Sequence, residues 1–472
     1  MRTFVARSYK GCGVFFVMKN FTQGKILPQL MSLALPIMGT GLAQLAYNFA
    51  DIFWVGRLDS RSVAAVSIAG FIAWITFSIA CITKVGAEVC IAQAIGQRRL
   101  ATARQLAAHA VTIAAVVSVV TLALLLCFMR SIVGLFGLEA DISEQCIDYV
   151  KIMAYCMPFW FFAPTFAGIY NATGNSRTPF VVSTTAILIN IVLDPFLIFG
   201  VGFFPELGVR GAALATGLSL VVEFFVFVVL LLRPSTAPFS GFRFFTPLKR
   251  SLSLRLFRVG APASLQSALF ATLSMTLSTI AASIGGHVGV AVQGAGSQIE
   301  SLSWITANGV STALGAYIGQ NYGAQKLGRV AKSFAAGIGV VSAYGALVGA
   351  CFMLFGEEIF ALFIPGDSAV IAEGGRYLYI FGLSQMFLCA EIAASGAFNG
   401  LGRSYYPAVV TIALNALRIP LAVALSRYMG LSGVWWAMCI STLLKGVILT
   451  ATFPVFTGRI KKRLRQPGGA GA

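Results

Sequence analysis

Residues 106–129 read LAAHAVTIAAVVSVVTLALLLCFM, a run of 24 residues without a single Asp, Glu, Lys or Arg. A helix of about 20 apolar residues is long enough to cross the hydrocarbon core of a bilayer. Similar runs follow one another along the chain, separated by short polar loops. Only 11% of the 472 residues are charged, whereas soluble domains carry about 25%. The sequence therefore predicts an all-α integral membrane protein.

The apolar runs predict twelve transmembrane helices. We place the first six at residues 30–55, 62–97, 105–129, 148–172, 178–202 and 208–232. The second six lie at residues 254–285, 288–320, 331–355, 376–400, 405–428 and 432–456. The second and eighth helices are longer than a bilayer requires, so they must tilt or project into water.

Charged loop residues are segregated between the two sides of the predicted spans. The loops on one side contain many Lys and Arg residues and no Asp or Glu, and the opposite loops contain ten carboxylates. The positive-inside rule makes the basic side cytoplasmic. This topology predicts a cytoplasmic N-terminal tail (1–25), an N-lobe (26–232), a cytoplasmic linker (233–253), a C-lobe (254–456) and a basic cytoplasmic tail (457–472). It also explains the net charge of +18, so no nucleic-acid partner is expected.

The two halves of the chain resemble each other at an offset near 225 residues. The recurring features are Pro36 and Pro262, Ile95-Gly96-Gln97 and Ile318-Gly319-Gln320, Asn190 and Asn415, and Pro195 and Pro420. Because each half has six helices, the two lobes share one orientation and are expected to be related by a pseudo-two-fold axis along the membrane normal. Lobes of this kind usually enclose a central cavity that opens to alternate sides.

Three motifs in this order resemble the multidrug and toxic compound extrusion (MATE) family, prokaryotic DinF-like branch. YNFADIFWVGRL at residues 47–58 is similar to the family's first-helix signature. GAALAT at 211–216 resembles the start of its sixth helix, and IGQNYGA at 318–324 the end of its eighth. The resemblance covers residues 25–456. It implies a secondary transporter that exports organic, often cationic compounds, driven by inward movement of Na⁺ or H⁺.

Six carboxylates lie within the predicted spans: Asp51, Glu88, Asp194, Glu223, Glu300 and Glu391. Ionisable groups in lipid are costly and tend to mark function. Helical spacing places Tyr47 on one face with Asp51, and Asn190 on one face with Asp194. Pro195 frees a backbone carbonyl for a kink or a cation. Together these groups form a hard-oxygen set for Na⁺, or a carboxylate pair that can hold a proton, because two close carboxylates cannot easily both ionise.

The repeat places no carboxylate opposite Asp51 or Asp194, because their counterparts are near Leu277 and Ile419. Fold symmetry therefore does not require these acids. The resemblance implies that Asp51, Asp194, Asn190, Tyr47 and Thr216 bind the coupling ion, with Na⁺ at Asp194, Asn190 and Asp51 if Na⁺ is the ion. The alternative is a buried hydrogen-bonded pair that only stabilises the lobe.

Charged residues of the C-lobe supply a second hypothesis. Glu300 and Glu391 are secondary candidates for the cation site, because some branches of the family place it in that lobe. Glu391 could instead form a buried network with Arg418 and Lys445. In the N-lobe, Lys84 and Glu88 could neutralise each other, Glu223 has no obvious partner, and His109 and His287 are expected at the membrane interface. No nucleophile triad, HExxH motif or P-loop is present, so we expect no enzyme activity and no cofactor.

The sequence thus predicts an antiporter in the plasma (inner) membrane with both termini cytoplasmic. We expect a monomer whose partners are small organic substrates and the lipid bilayer. The main alternative is a lipid-linked oligosaccharide flippase of the same superfamily, which would need basic residues for the pyrophosphate. Away from the ends of the spans, the only Lys and Arg residues are Lys84, Arg418 and Lys445. A receptor or channel is less compatible with the two-lobe repeat and with the lack of a sizeable soluble domain.

Overall fold

The computed structural model describes residues 18–202, 204–239 and 242–465, and the regular elements in these ranges are all helices. They are α1 (Ile26–Val55), α2 (Ser60–Gly96), α3 (Leu100–Gly134), α4 (Ala140–Ala172), α5 (Arg177–Phe199), α6 (Val209–Leu232), α7 (Arg250–Gly323), α8 (Leu327–Leu354), α9 (Gly356–Phe363), α10 (Ser368–Gly400), α11 (Tyr405–Met429) and α12 (Leu431–Arg465). In these ranges, eleven helices are long and apolar enough to cross a membrane. With its eight residues, α9 is too short. The all-α membrane fold is therefore confirmed.

The 74 residues of α7 form two helices that meet at Gly286. Gly286 has φ 55° and ψ −135°, a backbone conformation that favours glycine. A Cβ built on Gly289 would overlap the carbonyl oxygen of Ala281. Residues eight apart in a continuous helix are about 12 Å apart, so the chain folds back at Gly286. The two parts of α7 correspond to the predicted seventh and eighth helices, which brings the number of spans in the described ranges to the predicted twelve.

Several helix ends differ from the predictions because helices continue beyond the apolar window. For example, α10 begins at Ser368 rather than at 376, since the Asp367 carboxylate accepts hydrogen bonds from the backbone N–H groups of Ala369 and Val370. The same type of cap begins α2, where the backbone N–H of Ser62 donates to Asp59 and lowers the pKa of that carboxyl group. The predicted tail at 457–472 is helical as far as Arg465.

The chain divides into two compact units, which differ from the predicted lobes at two places. Within the described ranges, unit 1 consists of residues 18–20 and 39–264, and unit 2 of residues 21–38 and 265–465. The first half of α1 therefore belongs to unit 2, although the N-lobe was expected to begin at 26. The first turns of α7 belong to unit 1, although the C-lobe was expected to begin at 254.

Hydrogen bonds explain why residues 21–38 belong to unit 2. The Phe21 ring stacks on Tyr317 with 4.9 Å between centroids, and the Phe21 backbone N–H donates to Gln320 Oε1 over 3.1 Å. Arg329 donates through Nη1 to the Gly24 carbonyl oxygen over 3.0 Å and through Nη2 to Tyr317 Oη over 2.7 Å. The backbone carbonyls before α1 are thus bound to the α7–α8 corner of unit 2.

One helix forms the centre of each unit. In unit 1, α4 packs against α2, α3 and α6, and in unit 2, α10 packs against α8, α9 and α12. These two central helices are both 33 residues long. The repeat inferred from the sequence therefore extends to the packing inside each unit.

His109 is buried in unit 1, where both of its ring nitrogens have partners. Its Nε2 accepts a hydrogen bond from the backbone N–H of Lys249 over 3.0 Å, directly before α7 begins. Its Nδ1 lies 2.8 Å from the Gln105 carbonyl oxygen, which requires that Nδ1 carries the proton. His109 therefore holds the end of the predicted linker against α3.

The close approach of α7 to α2 in unit 1 requires Gly260. A Cβ at this position would overlap the carbonyl oxygen of Ile82 and lie 2.7 Å from its carbonyl carbon. We expect Gly260→Ala to reduce the free energy of unfolding by about 1–3 kcal/mol, because an extra methyl group forces packed backbones apart. The measurement is the thermal unfolding temperature of the purified protein in detergent.

Gly70 provides the matched control, since a Cβ there has no neighbouring atom within 4 Å among the described residues. Gly70→Ala should leave the unfolding temperature unchanged or raise it, because Ala is the better helix former. Equal unfolding temperatures for the two variants would contradict the close-packing explanation.

Candidate functional site

The five predicted site residues lie together in unit 1. Tyr47 and Asp51 come from α1, Asn190 and Asp194 from α5, and Thr216 from α6. The Thr216 hydroxyl lies at the centre of their contacts. It donates to the Ala212 carbonyl oxygen over 3.1 Å and accepts from Asn190 Nδ2 over 3.3 Å. Tyr47 Oη lies 3.2 Å from the same Thr216 oxygen, so three helices are connected through one hydroxyl group.

The carboxylates of this cluster are buried close to each other. Asp194 is 0% exposed and Asp51 is 8% exposed. Each lies one helical turn after another member of the cluster, Asn190 before Asp194 and Tyr47 before Asp51, as the i, i+4 spacing predicts. The two carboxylates are near enough to interact electrostatically. Because like charges in a low dielectric repel strongly, the pair favours binding of a proton or a cation.

Four oxygens of the cluster lack hydrogen-bond donors. They are Asp51 Oδ1, Asn190 Oδ1 and both carboxylate oxygens of Asp194, and no group within the described ranges donates to them. A buried acceptor without a donor costs about 1–3 kcal/mol, and more if it is charged. A proton or a Na⁺ ion would satisfy these oxygens, since Na⁺, like Ca²⁺ and Mg²⁺, is a hard cation that prefers oxygen ligands. The arrangement therefore fits the predicted coupling ion.

Tyr149 is a further member of the cluster that the sequence reasoning missed. It lies in the central helix α4, is 6% exposed, and interacts electrostatically with Tyr47, Asp51 and Asp194. Hydropathy and charge patterns do not single out one tyrosine among thirteen. The available signal was the repeat, because aligning α4 with α10 end to end places Tyr377 opposite Tyr149.

The secondary candidates of unit 2 already have protein partners. Glu391 Oε2 forms an ion pair with Lys445 Nζ at 2.9 Å, and its Oε1 accepts from Thr411 Oγ1 over 3.3 Å. Glu300 Oε1 accepts a hydrogen bond from the Tyr377 hydroxyl. Of the expected network of Glu391, Arg418 and Lys445, the pair of Glu391 and Lys445 is therefore present, whereas Arg418 forms no ion pair in the described ranges. In unit 1, by contrast, Asp51 Oδ1 and both carboxylate oxygens of Asp194 have no hydrogen-bond partner in the described ranges.

The structure also bears on two other expectations about charged residues. Lys84 acts electrostatically on Glu88, as their spacing suggested, although the two form no ion pair within 4 Å in the described part of the chain. The Lys84 ammonium group instead lies 5.8 Å from the centre of the Phe77 ring. Glu223 does have a partner, because Ser183 Oγ donates to its Oε1 over 2.6 Å. In the described ranges, no three His, Cys, Asp or Glu side chains form a group that could hold a metal ion.

Apolar spans, two repeated units and an unsatisfied carboxylate cluster define a polytopic membrane transporter with an internal repeat. The MatE family model matches residues 36–196 and 262–424, which together make up more than half of the chain. The chain belongs to the MatE family. The two matched stretches begin at residues 36 and 262, which agrees with the predicted repeat offset near 225.

Known proteins are similar over nearly the whole chain. The probable multidrug resistance protein NorM of Thermotoga maritima is 28% identical over 95% of this chain and 97% of its own length. The multidrug export protein MepA of Staphylococcus aureus is 24% identical over 89% of this chain and 92% of its own length. A crystal structure of MATE in complex with MaL6 has a TM-score of 0.88 at 25% identity and covers 94% of this chain and 99% of that chain.

Proposed function

We propose that this protein is an antiporter that exports small amphipathic organic compounds in exchange for H⁺ or Na⁺. The observation that carries the proposal is the cluster of four buried oxygens on Asp51, Asn190 and Asp194 without donors in the described ranges. The similarity to NorM and MepA, which are named for multidrug resistance and multidrug export, supports export as the direction of transport. Cationic compounds are the expected substrates.

In this proposal, binding of the coupling ion to the two carboxylates drives the conformational change that moves the substrate. An external ion binds Asp51 and Asp194, and its charge removes the repulsion between them. Pro36 in α1 and Pro195 in α5 interrupt the backbone hydrogen bonding of their helices, so these helices can change shape when the ion binds. One charge moving through 100 mV supplies about 2.3 kcal/mol, which corresponds to a concentration ratio of about fiftyfold.

Charge segregation supports an orientation with both termini in the cytoplasm, in the plasma (inner) membrane. The protein would act as a monomer, with the bilayer and small organic compounds as its partners. The flippase alternative is less compatible with the structure, because Lys445 is neutralised by Glu391 and is not available to a pyrophosphate. The similarity to multidrug export proteins also favours export.

The proposal is tested by transport in proteoliposomes with separately imposed H⁺ and Na⁺ gradients. We expect one of the two gradients to drive accumulation of the cationic dye rhodamine 123, and Asp51→Asn to abolish the stimulation. Asp141→Asn is the matched control, because Asp141 is an exposed carboxylate that meets Arg61 at 3.4 Å, an interaction worth little. No stimulation of wild-type transport by either gradient would overturn the proposal. Loss of coupling in Glu300→Gln or Glu391→Gln, with Asp51→Asn active, would move the ion site to unit 2.

A further inference from the structure

Arg418 is a buried cation in unit 2 with one free edge. It lies on α11 and is 6% exposed. Its Nε donates to Ser441 Oγ over 2.9 Å, and its Nη2 donates to Thr442 Oγ1 over 2.9 Å. Both acceptors are neutral hydroxyl groups on α12. Within the described ranges Nη1 has no acceptor, although a guanidinium group stays charged in proteins and carries five N–H donors.

The neighbouring carboxylates do not pair with Arg418 directly. Glu391 is held by Lys445 at 2.9 Å, and Glu300 accepts from the Tyr377 hydroxyl. Both acids act on Arg418 electrostatically, but neither comes within 4 Å of it among the described residues. The guanidinium group is therefore positioned by hydroxyl groups, and its Nη1 donors remain without a partner among the described residues.

The repeat places Arg418 directly beside the counterpart of Asp194. In the register that pairs Asn190 with Asn415 and Pro195 with Pro420, Asp194 corresponds to Ile419 and Leu193 corresponds to Arg418. Unit 2 therefore has no carboxylate at this position and carries a guanidinium group one residue away from it.

We propose that Arg418 binds a carboxylate group of the exported compound. The inference rests on the proposed export function and specifies its substrates: amphipathic compounds that carry a carboxylate beside an aromatic or cationic part. A planar guanidinium group matches a planar carboxylate through two parallel hydrogen bonds. The hydroxyl groups of Ser441 and Thr442 fix its orientation through Nε and one Nη2 hydrogen, which leaves the Nη1 hydrogens and the second Nη2 hydrogen for the carboxylate. One guanidinium group suits one carboxylate rather than a pyrophosphate.

Two dyes with the same ring system test the inference. Rhodamine 110 carries a free carboxylate, and rhodamine 123 is its methyl ester. In proteoliposomes we expect wild-type protein to transport both, and Arg418→Gln to reduce rhodamine 110 transport by about tenfold or more, as for loss of a charge-assisted hydrogen bond, while rhodamine 123 transport is unchanged. Arg418→Lys, which keeps the charge and loses the planar fork, should also lower rhodamine 110 transport selectively. Arg427→Gln is the control, because Arg427 lies exposed in the last turn of the same helix.

Each other outcome has a defined meaning. If wild-type protein moves rhodamine 123 but not rhodamine 110, the carboxylate site is refuted and the export function stands. If both Arg418 variants reduce transport of the two dyes equally, Arg418 has a structural role and the inference fails. If wild-type protein moves neither dye, the proposed export function itself fails. Retained rhodamine 123 transport shows that a variant is folded.

Discussion

Asp194→Asn is expected to reduce ion-driven export by at least about 100-fold. Asp194 is 0% exposed, and both of its carboxylate oxygens lack donors within the described ranges. A buried coupling ion that loses the Asp194 charge is destabilised by about 3–5 kcal/mol. Each 1.4 kcal/mol weakens ion binding by a factor of ten. The amide has nearly the same shape as the carboxylate, so the fold should be retained. The measurement is the initial rate of rhodamine 123 transport under the driving gradient.

The variant also separates coupling from substrate movement. With the gradient collapsed and only a dye gradient present, Asp194→Asn should move rhodamine 123 at a rate that no longer depends on pH or Na⁺. Asp141→Asn should behave as the wild type under both conditions. If Asp194→Asn retained gradient-driven export, Asp194 would be a structural carboxylate that only stabilises unit 1.

Lys445→Met is expected to destabilise unit 2 by about 3–5 kcal/mol. Lys445 is 2% exposed, and its ammonium group is the 2.9 Å partner of Glu391 Oε2. Removing one member of a buried pair leaves an uncompensated charge in a low dielectric. For a domain of about 200 residues, each kcal/mol shifts the unfolding temperature by about 2–4 °C, so a decrease of about 10 °C is predicted. It can be measured by thermal unfolding in detergent.

The double variant Lys445→Met/Glu391→Gln is the informative comparison. Removing both charges avoids the unpaired carboxylate, so the double variant should be more stable than Lys445→Met alone. Arg376→Met is the matched control for a weak pair, because Arg376 meets Glu373 at 3.4 Å with its side chain mostly exposed. An additive loss of stability in the double variant would show that Lys445 and Glu391 are not energetically coupled.

The membrane fold and the unit 1 cluster were predictable because they depend on local patterns. Hydropathy locates apolar spans, and i, i+4 spacing places Asn190 and Asp194, or Tyr47 and Asp51, on one side of a helix. The sequence predicted a boundary between two helices at residues 285–288, and the chain of α7 reverses there at Gly286. A buried carboxylate is rare in lipid and attracts attention even in a single sequence.

Long-range contacts explain what the sequence did not predict. The first half of α1 belongs to unit 2 because Arg329 and Gln320 bind the backbone of residues 21–24, about 300 positions earlier. Hydrogen bonds to backbone groups leave no pattern in the sequence, because every residue carries such groups. Tyr149 was missed because a tyrosine in an apolar helix is usually a packing residue. Arg418 was expected to pair with an acid, whereas the structure gives it two hydroxyl groups.

Antiport through Asp51 and Asp194 is tested most directly by measuring both fluxes at once. Proteoliposomes are loaded with rhodamine 123 without any ion gradient, and H⁺ and Na⁺ movements are followed while the dye flows out. Wild-type protein is predicted to move one of these ions inward as the dye leaves, and Asp194→Asn is predicted to release dye without ion movement. Dye efflux through the wild-type protein without any opposing H⁺ or Na⁺ flux would contradict antiport.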